Sequence, residues 1–99
     1  MVMIAQKKEC QVKGSFIVKN DRGLHTRPST EIVRCTSAFK SEVLLRYQKM
    51  EVNAKSILGI LMLAAIKGAK ITVSAFGEDA EEVVASLIDL AEKQFYITY

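Results

Sequence analysis

The chain has no tryptophan, a single proline, a single histidine and two cysteines. Two thiols, Cys10 and Cys35, make neither a CxxC motif nor a disulfide framework, which points to a reducing compartment, the cytoplasm. One histidine without clustered cysteines or acids cannot build a metal centre, so no metal is expected. There is no glycine-rich dinucleotide fingerprint and no P-loop, so no cofactor is expected either. The most apolar run, "ILGILMLAAI" from Ile57 to Ile66, is ten residues long, against the ~20 that a membrane-spanning helix needs. No membrane insertion is expected. The opening "MVMIAQKKEC" places its lysines after its apolar start, the reverse of a secretory signal. Residues 1–10 are expected to be a frayed leader, and residues 11–99 a single domain. Without tryptophan or a strand carrying stacked aromatics, an RNA-binding sheet has little support. The net charge permits weak DNA binding, as it does in basic proteins generally, and no nucleic-acid partner is expected.

What is present describes a small globular domain. Hydrophobic residues make up 49% and charged residues 25% of the 99, which is enough for one packed core. Charge is uneven. Residues 1–50 carry ten Lys/Arg and four Asp/Glu, a balance of +6, and residues 51–99 carry four and seven, a balance of −3. An acidic or phosphorylated partner is one reading of this asymmetry; ordinary solvated charge is the other.

Apolar spacing sets out the elements. "CQVKGSFIV" alternates Cys10, Val12, Gly14, Phe16 and Val18 against polar neighbours, a strand. A helix starts near Pro28, with Ile32, Cys35/Thr36 and Phe39 as its apolar stripe. "SEVLLRY" and "MEVNA" form a hairpin turning near Gln48–Lys49, with Val43, Leu45 and Tyr47 on one face and Met50, Val52 and Ala54 facing inward. A short apolar helix begins near Ser56. "KITVSAF" is a strand with Ile71, Val73 and Ala75 on one side. Asp79 and Glu82 suggest a capping box opening a last helix that carries Val84, Leu87, Ile88, Ala91 and Phe95. The order βαββαβα, with one apolar face per strand, predicts an α+β fold: an open-faced two-layer sandwich of four antiparallel strands covered on one face by three helices.

The chemistry concentrates in "GLHTRPST", Gly23 to Thr30. A helix start leaves backbone N–H groups free and, with the dipole, makes an anion site. Arg27 adds forked donors suited to phosphate. Dipole and guanidinium both oppose a second positive charge, which favours a neutral, nucleophilic imidazole at His25. The combination is a phosphoryl-accepting arrangement, where positioning and electrostatics do most of the catalysis. A plain surface or capping histidine remains the alternative at this point. A Cys–His nucleophile pair is disfavoured, because Cys35 falls on the apolar helix stripe.

"GLHTRPST", "NAKSILGILML" and "KGAKITVSAFGEDAEEVVASL" together resemble the histidine-containing phosphocarrier proteins (HPr) of the bacterial phosphoenolpyruvate–sugar phosphotransferase system, from about residue 11 to about residue 93. The resemblance implies a carrier rather than a stand-alone enzyme. His25 would accept a phosphoryl group at Nδ1 from phospho-enzyme I and pass it to enzyme IIA domains. Arg27 matches the phosphate-steadying arginine. Ser56 matches the serine modified by the ATP-dependent HPr kinase/phosphorylase. Ile57 and Leu58 match an apolar docking surface, and Thr30 and Arg34 its other margin. A monomer is expected. Two positions depart from the family: Arg22 replaces a small polar residue and adds charge near His25, and Glu31 puts an acid into the docking helix. The competing reading is a regulatory protein of the same fold, controlled mainly through Ser56. The tail "QFYITY" lies outside the resemblance.

Overall fold

The structure, a computed structural model of the chain, describes residues 11–99. The leader assigned to residues 1–10, and Cys10 with it, lies outside the described residues. Strands β1 (Gln11–Ile17), β2 (Glu42–Tyr47), β3 (Met50–Asn53) and β4 (Lys70–Phe76) alternate with helices α1 (Thr26–Ser37), α2 (Ile57–Met62) and α3 (Ala80–Glu92), in the order βαββαβα. A 3₁₀ turn, Gln94–Tyr96, follows α3.

The strands form one antiparallel sheet in the order β1-β4-β2-β3. Side chains alternate between the two faces of a strand. In β4 this sends Ile71, Val73 and Ala75 to the helix side, each with no exposed surface, beside Val43 and Leu45 of β2. Among the described residues, helices cover that face only, as expected for an open-faced sandwich. Helix α3 lies close against β1: a Cβ at Gly14 would come within 2.8 Å of Val84 and 3.0 Å of Ile88. Only the missing side chain lets the helix approach so near.

The helix and hairpin boundaries depart from the expected pattern for local reasons. Met50 is 43% exposed and Val52 half-buried, while Ala54, just past β3, is fully buried. β3 is a four-residue edge strand, and its hairpin end overhangs the core. Gln48 opens that hairpin turn at φ 57°. The stripe of α1 settles on Ile32 and Thr36, both fully buried, and Phe39 packs just beyond the helix end. The Thr36 hydroxyl donates to the Ala54 carbonyl at 2.9 Å, which satisfies its polar atom inside the core. Cys35 is half-buried, and burial pushes its thiol pKa up.

The capping box is absent. The Asp79 side chain makes no cap hydrogen bond to α3. Its carboxylate instead accepts from the Lys40 amide at 2.9 Å, the Ser41 amide at 2.9 Å and the Ser41 hydroxyl. These bonds hold the carboxyl below the usual carboxylate range, the Ser41 hydroxyl contributing most. Phe95 does not continue α3, which ends at Glu92. Gln94, Phe95 and Tyr96 all have left-handed backbone, with φ of 54°, 57° and 61°. Such a turn costs about 1–2 kcal/mol per non-glycine residue. It aims Phe95 inward, where it is fully buried and meets Phe16 edge-to-face at 6.0 Å.

Candidate functional site

His25 occupies the position just before α1, with extended backbone (φ −76°, ψ −169°). Two contacts fix it there. The Leu24 amide donates to the Ala65 carbonyl at 3.0 Å. Gly23, at φ +69°, lies so near that a Cβ would fall 2.2 Å from the same oxygen. The histidine loop is thereby clamped to the segment that follows α2. On its other side the Ser29 hydroxyl donates to the Leu24 carbonyl at 3.2 Å, within the core.

The helix start is open. The His25 side chain makes no cap bond, and Pro28 in the first turn carries no N–H. The Thr26 and Arg27 amides therefore have no partner among the described residues. Free amides at a helix N-terminus, with the positive end of the dipole, attract an anion. Arg27 is exposed in that same first turn. The imidazole is only partly exposed, and its Nε2 atom is buried without a hydrogen-bond partner.

The tail supplies a part of the site that the residue pattern did not suggest. Tyr99 stacks on His25, with ring centroids 5.4 Å apart and planes at 19°. Arg27 Nη1 donates to the Tyr99 hydroxyl at 2.8 Å. The guanidinium of Arg22 lies 5.0 Å from the centre of the same ring, and the Arg22 amide donates to the main-chain oxygen of Tyr99 at 3.1 Å. Arg22 is thus engaged with Tyr99 through both its amide and its side chain. Asn20, fully buried, holds the tail by donating through Nδ2 to the Gln94 and Ile97 carbonyls, both at 3.1 Å. The one available signal was the alternation of Phe95, Ile97 and Tyr99, the period of an extended segment with one packed side.

The remaining expected site residues fall into two groups. Ser56 precedes α2, and its Oγ accepts from the Gly59 amide at 3.1 Å, an ordinary N-cap. Beside it Ile57 and Leu58 are exposed, at 38% and 69%, as are Met62 and Ile66. Thr30 and Arg34 stay on α1. The Thr30 hydroxyl bonds back to the Thr26 carbonyl at 2.9 Å. Arg34 pairs loosely with Glu31 at 3.7 Å, and both line a groove of about 370 Å³ with Cys35, Asp89 and Tyr96.

A sandwich of this order, carrying its single histidine at an open helix start beside an arginine, has the build of a small histidine-bearing carrier domain. A family model for the PTS HPr component phosphorylation site matches residues 12–93, and the chain belongs to that family. The chain is 36% identical to HPr-C-His from Thermoanaerobacter tengcongensis, covering 89% of this chain and 99% of that one with a TM-score of 0.84. It is 34% identical to the phosphocarrier protein HPr from Bacillus anthracis, over 80% of this chain and 94% of that one, TM-score 0.76. It also matches Bacillus subtilis Crh, the catabolite-repression HPr, crystallised as a domain-swapped dimer: 35% identity, 78% and 88% coverage, TM-score 0.68. The family is a phosphocarrier component of the phosphotransferase system, not a free-standing catalyst. No helix among the described residues is long and apolar enough to cross a membrane.

Proposed function

We propose that this protein is a cytoplasmic, monomeric phosphocarrier that takes a phosphoryl group from phospho-enzyme I onto His25 and hands it to enzyme IIA domains. The observation that carries this reading is the open start of α1 around His25: two unpartnered amides and Arg27 in the same turn as the imidazole. The acceptor atom is Nδ1, because Nε2 is buried and cannot meet a donor. The Nδ1 lone pair attacks phosphorus, the bond from phosphorus to the donor breaks, and a P–N bond forms. The Thr26 and Arg27 amides and the Arg27 guanidinium receive the charge on the phosphoryl oxygens as it arrives. Transfer to enzyme IIA reverses these movements. The exposed side chains Ile57 and Leu58 on α2 provide the apolar part of the docking surface, with Thr30 and Arg34 at its margin on α1.

Ser56 is the second, regulatory acceptor, modified by HPr kinase/phosphorylase. Its hydroxyl stands at the edge of the exposed Ile57/Leu58 surface, so a phosphate there adds about −1.5 to −2 charges where partners dock. A protein governed through Ser56 alone, with no carrier role, would have no use for an imidazole at an open helix start.

The test is incubation with phosphoenolpyruvate and enzyme I. The wild-type chain is expected to gain one phosphoryl group that is labile in acid and stable in base, as a phosphoramidate is. His25→Ala is expected to gain none. Uptake by that variant would rule out His25 as the acceptor.

A further inference from the structure

Residues 94–99 lie beyond the span of the family match, which ends at residue 93, yet they are built into the molecule. Phe95 is fully buried and Ile97 is 8% exposed. Asn20 donates twice into the tail backbone, and the Arg22 amide holds the main-chain oxygen of Tyr99. This anchoring places one side chain, Tyr99, against both of the groups assigned to phosphoryl transfer. Its ring stacks on the His25 imidazole, and its hydroxyl accepts from Arg27 Nη1 at 2.8 Å.

We propose that Tyr99 is a positioning residue for phosphoryl transfer, fixing the plane of the His25 ring and the placement of the Arg27 guanidinium relative to one another. The inference rests on the carrier reading of His25. Apart from Tyr99 little holds either side chain: no hydrogen bond reaches the buried His25 Nε2, and Arg27 is exposed. A ring lying nearly parallel to the imidazole, with planes at 19°, resists rotation of the histidine and keeps Nε2 inward, which turns Nδ1 toward an incoming donor. The hydroxyl engages one of the five N–H donors of the guanidinium and leaves four for phosphoryl oxygens. Arg27 also lies 5.9 Å from the ring centre, and Arg22 5.0 Å, so two cations are gathered on one aromatic surface. Transfer depends steeply on such alignment, since small misplacements of a reacting group can cost about a hundredfold.

The experiment compares wild type, Tyr99→Phe and Tyr99→Ala in phosphoryl uptake from phospho-enzyme I, alongside NMR of the His25 ring protons. Tyr99→Phe keeps the stack and loses the bond to Arg27. Tyr99→Ala loses both. The expected fall in kcat is about threefold for Tyr99→Phe and about tenfold or more for Tyr99→Ala, below the roughly hundredfold cost of losing an aligned donor outright, because His25 and Arg27 both remain. KM for phospho-enzyme I is expected to stay within about twofold, because the α2 surface is unchanged. The His25 ring protons are expected to lose their ring-current shift in Tyr99→Ala and to retain it in Tyr99→Phe. Unchanged kcat in both variants, or faster uptake in Tyr99→Ala, overturns the proposal, the latter marking the tail as a mere cover. Failure of the wild-type chain to load at His25 overturns the carrier reading and this proposal together, and is told apart from the other outcomes because it appears without any change at Tyr99.

Discussion

A few residues decide where the imidazole stands, and Gly23 is the most exacting of them. Its φ of +69° and the Ala65 oxygen 2.2 Å from where a Cβ would be leave room for hydrogen only. Gly23→Ala therefore meets both a backbone penalty and a collision with main chain, which cannot swing aside. The expected loss is about 2–4 kcal/mol in chemical denaturation. Phosphoryl uptake by the remaining folded protein should also slow, because the clamp between Leu24 and Ala65 is what holds the histidine loop. The placement of His25, Arg27 and Ser56 at helix starts is legible in the sequence because its signals are local: a proline in a first turn, an arginine two residues from the histidine, a hydroxyl one residue before an apolar helix. Tyr99 was not legible, because it reaches Arg27 across 72 residues of chain and no local pattern encodes such a meeting. The sequence marks Arg22 only as added charge near His25, whereas its side chain lies over Tyr99, a contact that depends on how the tail folds.

The elements themselves were largely readable, and their ends were not. β4 and α1 announced themselves through strict periods of two and of three to four. Asp79 shows why boundaries are harder. Its position three residues before Glu82 suggests a cap, but two amides and a hydroxyl from the α1–β2 connection compete for the same carboxylate and win. Tertiary partners outnumber what a helix start can offer, and no spacing rule registers them. The result is a brace between the segment after α1 and the start of α3. Because the carboxyl is held below its ordinary value, its contribution to stability is complete above the unfolded value of about 3.9, and it is lost as pH falls through that value toward the folded one. Asp79→Asn is accordingly expected to melt below wild type at pH 7. The difference should shrink as pH is lowered from about 5 to below 3.9. A gap that stays constant across that range in calorimetry would show that the brace acts through shape and not through charge. The same lesson applies to Phe95, which has the right spacing for α3 but is delivered to the core by three left-handed residues that no helical period anticipates.

For the molecule as a whole, the open-faced sandwich followed from strand alternation alone, since four strands with one apolar face each require helices on one side. The proposed docking surface rests on what the fold leaves uncovered: Leu58, Met62 and Ile66 are exposed by 60% or more, on or just after a helix too short to bury all its apolar residues. A charge at the head of that helix should disturb docking more than folding. Ser56→Asp keeps a good capping residue, so melting should change little. KM for phospho-enzyme I is expected to rise about tenfold, because an added, unpaired charge must be desolvated when a partner covers that surface. An unaltered KM would leave Ser56 as a helix cap and nothing more. The strand order carries a last consequence, concerning time. β1 has one neighbour, β4, in a register that joins Gln11 to Phe76. On a ribosome adding about 5–20 residues per second, β1 waits about 3–12 s for β4 to be made. Throughout that interval β1 has no native partner among the described strands, and the sheet closes only once β4 has been made.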